Sequence, residues 1–227
     1  MDGLVTQLLD RPVVVVEGPV TDEQDGLWPE ELAYLGRAAP KRRREFATGR
    51  RFAHRALEML GTASRALPIG PDRSPRWPDG ITGSITHGAG YCAVAVARTA
   101  DAAAIGIDIE DTARFRPALL PRVLSPQEIA AGPFGTDGEQ RQRSAAAMFS
   151  AKESLYKSLR TLSGTRLHFH ECAVTLDPAS RVFAAGLLVP AAPFAAGHRF
   201  TGRFAFGGGL VATAILLPPA RADRRPS

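Results

Sequence analysis

The strongest constraint on this chain is the order of its patterns. Apolar residues recur at helical spacing from Pro40 to Leu60, and again from about Gln140 to Leu162. In the first stretch Phe46, Ala53, Ala56, Leu57 and Leu60 mark one face; Pro40 suits a first helical turn and Gly61 an exit. In the second, Ala145, Met148, Phe149, Leu155, Tyr156 and Leu159 do the same. Around them lie short β-type segments: "RPVVVVEG", read as an early buried strand, then "GYCAVAVAR" and "AAAIGIDIE", and later "CAVTLD", "RVFAAGLLV", "HRFTGRFAF" and "LVATAILL". A short helix is expected near Pro126–Ala131, and "LPIGPDRSPRWPDGITGS" is too rich in proline and glycine for a regular element. A long helix followed by strands, twice over, predicts an α+β fold without any residue-level repeat.

The bulk properties narrow the class. With 227 residues, 44% of them hydrophobic, the chain can bury a real core. Cys92 and Cys172 stand too far apart for a zinc spacing or a disulfide framework, which fits a reducing cytoplasm. The start, "MDGLVTQLLDRPVVVVEG", lacks a basic flank and a long apolar core, so no secretory signal is expected; no run is long enough to span a bilayer. A formal charge of +5 suggests an anionic partner: a phosphate-bearing small molecule, nucleic acid or an acidic protein surface.

Four stretches carry chemistry. Along a strand "IGIDIE", Asp108 and Glu110 project to one face while Ile107 and Ile109 point to the other. Two neighbouring carboxylates repel unless a cation sits between them, and Mg²⁺ would serve; a strand surfacing into solvent explains the same residues. On the second helix Lys152 falls within the apolar stripe and Glu153 on its flank, with Lys157 one turn beyond Glu153. An ordinary helix ion pair accounts for Glu153 and Lys157 but leaves Lys152 to snorkelling of its stem. In "GSITHG", Gly83 and Gly88 allow close backbone approach to a ligand and His87 can donate to a phosphate; a structural histidine at a turn is the other reading. The run "KRRRE" with "GRR" after it places Arg43, Arg50 and Arg51 within one to three turns, either as a phosphate-binding set or as a solvated helix face.

Taken in order, "KRRREFATGRRFAHRAL", "GPDRSPRWPDGITGSITHGAGY", "IGIDIE" and "FSAKESLYK" resemble the phosphopantetheinyl transferases, specifically the larger single-chain class with the surfactin- and enterobactin-type enzymes. The resemblance spans Lys41 to Lys157. It implies two similar α/β lobes related by pseudo-twofold symmetry, 1–112 and 113–227, with coenzyme A and a metal between them. It implies a Mg²⁺-dependent enzyme, with Mn²⁺ as a possible substitute, moving the 4'-phosphopantetheine arm of coenzyme A onto a serine of an apo acyl or peptidyl carrier protein. Carried over by position, Asp108, Glu110 and Glu153 ligate the metal, and Glu153 or a metal-bound water accepts the serine proton. Lys157 neutralises the pyrophosphate of coenzyme A as adenosine 3',5'-bisphosphate departs. Arg43, Arg50, Arg73, Ser84 and His87 meet coenzyme A, and Lys152 braces the carboxylates. Ile109 stands where some members carry a polar or acidic residue, so water would take that metal position. A cytoplasmic monomer, with neither nucleic acid nor membrane as partner, follows from the same resemblance.

Two rivals remain at this level. A metal-dependent nuclease would normally carry "[DE]-x-K" on one strand, and "IDIED" has no lysine. A nucleic-acid-binding module would use the arginine-rich helix but leave Asp108, Glu110 and Glu153 without a role.

Overall fold

A computed structural model describes residues 3–35, 38–63, 65–71, 74–113, 117–131 and 137–219. The first sheet has three strands in the order β1 (Val14–Pro19), β3 (Tyr91–Arg98), β2 (Ile81–Gly88), all antiparallel. The second has five: β4 (Ala104–Asp111), β8 (Leu210–Leu217), β7 (Arg199–Gly207), β6 (Val182–Leu187) and β5 (Cys172–Asp177). The helices are α1 (Pro29–Leu35), α2 (Pro40–Met59), α3 (Leu120–Val123), α4 (Pro126–Ala131) and α5 (Gly138–Ser163). The fold is therefore α+β, with α2 packed on the first sheet and α5 on the second.

Both long helices follow their sequence signals. Pro40 occupies the first turn of α2, and Gly61, at φ 74°, turns the chain away from it. The Asp137 carboxylate caps α5 by accepting the Gln140 N–H at 2.7 Å, and Gly164 ends it in the left-handed conformation. Ala145, Met148, Leu155 and Leu159 are buried, as their spacing predicts.

Two expectations change. The valine run is the edge strand β1, half-buried because among the described strands only β3 pairs with it. Residues 81–88 form β2 instead of a turn, so His87 lies within a strand. β4 pairs with β8 along its whole length, as part of the second sheet.

The two sheets share a core. Ile105, Ile107 and Ile109 of β4 pack with Ala93, Ala95 and Ala97 of β3, and with Val5, Leu8 and Val13 from the N-terminal segment. Beside that core, β2 runs along the free edge of β4. Its side chains replace a backbone ladder: Ser84 Oγ accepts the Ile107 N–H at 3.2 Å and Thr86 Oγ1 accepts the Ile109 N–H at 3.3 Å. Gly88 permits this approach, because a Cβ there would lie 2.5 Å from the Ile109 carbonyl oxygen.

Candidate active site

The seam between the sheets holds the acids. Asp108 is buried, and its Oδ1 accepts Lys157 Nζ at 2.7 Å and Thr86 Oγ1 at 3.2 Å. Lys157 Nζ also donates to the Ile107 carbonyl at 3.0 Å. Among the described residues Asp108 Oδ2 is buried with no hydrogen-bond partner. An orphaned carboxylate oxygen is costly, and a bound cation is a natural relief for it. Glu153 stands half-buried nearby, its carboxyl held above the ordinary range by burial; Lys157 pulls the other way and the Asp108 charge adds to the rise. Glu110 is half-buried two residues along the same face of β4.

An oxygen-loving divalent ion suits Asp108 Oδ2 and Glu153. Among the described residues, however, no three His, Cys, Asp or Glu side chains are gathered around one point. Like charges stand apart, and the Lys157 ammonium already occupies Asp108 Oδ1. The three expected metal ligands are thus placed around one region without forming a cage.

Lys157 opens onto a cleft of about 330 Å³ lined also by Ser74, Pro75, Trp77, Ser84 and Arg160. Next to it, sharing Pro75 and Ile85, is a smaller hollow of about 110 Å³ whose wall includes Tyr34, Arg42, Glu45, Arg50 and His87. His87 is held on both ring nitrogens: Arg42 lies 2.8 Å from Nε2 and Glu45 3.5 Å from Nδ1. This arrangement fits a neutral imidazole that accepts at Nε2 and carries its proton toward Glu45. Burial pushes its pKa below the ordinary 6.5; Glu45 opposes this, and the cations of Arg42 and Lys157 reinforce it.

Arg50 is 5% exposed, stacks over the Phe46 ring at 4.5 Å and lies 3.7 Å from Glu31, and burial lowers its pKa to about 10. Arg43, half-buried on α2, lines neither cleft, and Arg73 lies outside the described residues. Beside Arg50 the hollow is lined by Arg42, which the sequence reading did not single out. Its signal was helical phase: 42, 45, 46, 49 and 50 form one face of α2 and all line the hollow.

Lys152 does not brace the carboxylates. It is fully buried, and its Nζ donates to Glu128 Oε2 at 2.9 Å, the Val123 carbonyl at 2.9 Å and the Phe169 carbonyl at 2.6 Å. Glu128 in turn accepts the Val174 and Ser125 N–H groups, so the pair ties α4, α5 and β5 together away from Asp108.

Orphaned carboxylate, adjacent lysine and a cation-lined cleft have the chemistry to receive a phosphate ester. Residues 29–97 match the 4'-phosphopantetheinyl transferase N-terminal domain, and residues 104–205 the 4'-phosphopantetheinyl transferase superfamily. The chain is 42% identical over 216 residues to the 4'-phosphopantetheinyl transferase Svp of Streptomyces mobaraensis, covering 89% of this chain and 85% of that one. It is 32% identical over 203 residues to the 4'-phosphopantetheinyl transferase PptT of Mycobacterium tuberculosis, covering 83% and 85%. Among solved structures, the holo-[acyl-carrier-protein] synthase of Thermotoga maritima aligns at a TM-score of 0.34 and 17% identity, over 52% of this chain and 65% of that one, a likeness too slight to carry an argument. The chain belongs to the 4'-phosphopantetheinyl transferases.

Proposed function

We propose that this enzyme transfers the 4'-phosphopantetheine group of coenzyme A to a serine hydroxyl of an apo acyl or peptidyl carrier protein. The observation that carries the reading is the meeting of Lys157, Asp108 and Glu153 beside a cleft that continues into the Arg42, Arg50 and His87 hollow. The serine Oγ bonds to the phosphorus bearing pantetheine, the bond to the remaining nucleotide breaks, and adenosine 3',5'-bisphosphate leaves. Glu153, whose raised pKa suits a proton acceptor, takes the hydroxyl proton. Lys157 holds the leaving phosphate, and the arginines and His87 orient the nucleotide. Asp108 and Glu153, with Glu110 as third ligand, are proposed to hold Mg²⁺ or Mn²⁺, and the bound ion would neutralise charge on the diphosphate.

Ser84 lines the larger cleft while its oxygen accepts the Ile107 N–H, so its proposed contact with coenzyme A uses the remaining hydroxyl capacity. Arg43 and Arg73 stay proposed coenzyme A ligands. Division of the chain into lobes 1–112 and 113–227, with a pseudo-twofold relation between them, is part of the same proposal; α2 on the first sheet and α5 on the second support a helix-on-sheet unit in each half. No helix among the described residues is long and apolar enough to cross a membrane, and a cytoplasmic monomer is proposed. The net charge of +5 suits an acidic carrier surface.

The test is direct. Protein, coenzyme A, Mg²⁺ and an apo carrier are mixed and the carrier is weighed by mass spectrometry; the gain of one phosphopantetheine is expected. Chelation of the metal abolishes transfer, and Glu153→Gln lowers it at least about 100-fold with the fold intact by circular dichroism. No gain with several unrelated carriers, together with DNA cleavage under the same conditions, would favour a nuclease.

A further inference from the structure

Helix α1 has no counterpart in the sequence-based reading, yet it supplies a buried carboxylate with several donors. Glu31 is 2% exposed. Its Oε2 accepts the Trp28 N–H at 3.0 Å, closing the first turn of α1. Its Oε1 accepts the Leu67 N–H at 3.0 Å and lies 3.0 Å from His54 Nε2 and 3.7 Å from Arg50 Nε. One carboxylate therefore links α1, two turns of α2, and the start of the loop that carries Ser74 and Pro75 to the clefts. A buried acid with this many donors is kept ionised: burial works against the charge, but the hydrogen bonds from His54, Leu67 and Trp28 overcome it and hold the pKa below the usual range.

Arg50 is the group this carboxylate serves. Its guanidinium carbon lies over the Phe46 ring, which meets Tyr34 of α1 in a tilted pair at 5.0 Å between centroids, and both rings line the same hollow as Arg50. Among the described residues Arg50 Nε is buried without a hydrogen-bond partner. The Phe46 ring below and a countercharge 3.7 Å from that Nε hold the side chain in place beside the hollow, as an arginine that meets a phosphate would need.

We propose that Glu31 is a positioning residue that sets coenzyme A affinity through Arg50. The inference rests on the reading that Arg50 meets a phosphate of coenzyme A. It assigns α1, with Glu31 and Tyr34, to the nucleotide site without any contact between Glu31 and substrate.

A double-mutant cycle tests it, with KM for coenzyme A and kcat measured against a saturating carrier, and Kd for coenzyme A by calorimetry. Glu31→Gln is expected to raise KM and Kd about tenfold while kcat stays within about twofold, since only one charged contact is loosened. Arg50→Ala raises KM by at least as much. In the double variant the effects do not multiply, because Glu31 acts only through Arg50. If Arg50→Ala leaves KM unchanged, the phosphate reading of Arg50 fails, and the proposal with it. If Arg50→Ala raises KM but Glu31→Gln does not, or the two multiply, the positioning role alone is overturned. Should Glu31→Gln not fold by circular dichroism, Glu31→Asp takes its place in the cycle and is judged by the same non-additivity.

Discussion

His87 sits between a carboxylate and two cations, and that balance makes it a reporter of the site. Burial disfavours its protonation most strongly and Arg42 and Lys157 add to that, while Glu45 and a backbone hydrogen bond favour it. Its folded pKa is thus below the unfolded 6.5. Between those two values the unfolded chain binds more protons, so this histidine's contribution to stability is complete above the unfolded pKa and lost as pH falls through the folded one. The melting temperature is expected to drop between about pH 7 and 5, and His87→Asn to flatten much of that slope. A slope that survives the substitution unchanged places the titration elsewhere. At this scale the facing of Asp108 was legible because β alternation separates it from Ile107 and Ile109: the isoleucines join the core with β3 while Asp108 meets Lys157. The role of Lys152 was not legible, because its partner Glu128 lies 24 residues away on another helix and only packing brings them together.

Strands and helices were legible in proportion to how far their pattern repeats. The ends of α2 and α5 fell within two residues of the sequence reading, since caps and apolar phase agree there. Helix α1 has seven residues, too short for a period to show. β2 is broken by two glycines, which suggest a turn locally but serve close packing: a Cβ on Gly83 would meet the Trp77 ring at 2.7 Å. The glycine of "GID" has a similar purpose. A Cβ on Gly106 would lie 1.8 Å from the Ser154 carbonyl oxygen of α5, one residue beyond Glu153. Helix α5 can approach β4 closely enough for Lys157 to reach Asp108 only because that methyl is missing. Gly106→Ala is expected to lower unfolding free energy in urea by about 3 kcal/mol and to reduce transfer as well. Gly186→Ala, where the added carbon meets nothing within 4 Å, should stay within about 0.5 kcal/mol of the parent. Equal effects at the two glycines would remove close packing of α5 as the reason.

Across the whole molecule, function depends on a junction that no single element contains. The strand order stops at β4, and β2 closes the gap through two hydroxyl side chains instead of a ladder. No periodicity marks such a contact, so Ser84 and Thr86 read from sequence only as polar neighbours of a ligand loop. Thr86 has two duties: it accepts the Ile109 N–H and donates to Asp108 Oδ1. With Lys157 on the same oxygen, it turns Asp108 so that Oδ2 is left over for a ligand. The first sheet thereby orients an acid of the second. Thr86→Val has nearly the same shape but removes both bonds, leaving a buried N–H unpaired at a cost of about 1–3 kcal/mol. Thr86→Ser keeps the hydroxyl and should recover most of that stability. Because the apolar core spans both sheets, far-ultraviolet and near-ultraviolet signals are expected to melt together in both variants. Transfer by Thr86→Val should demand more Mg²⁺ for half-maximal rate, with Thr86→Ser close to the parent. If Thr86→Val lost stability without a change in metal requirement, the hydroxyl would serve the seam alone and Asp108 would keep its orientation through Lys157.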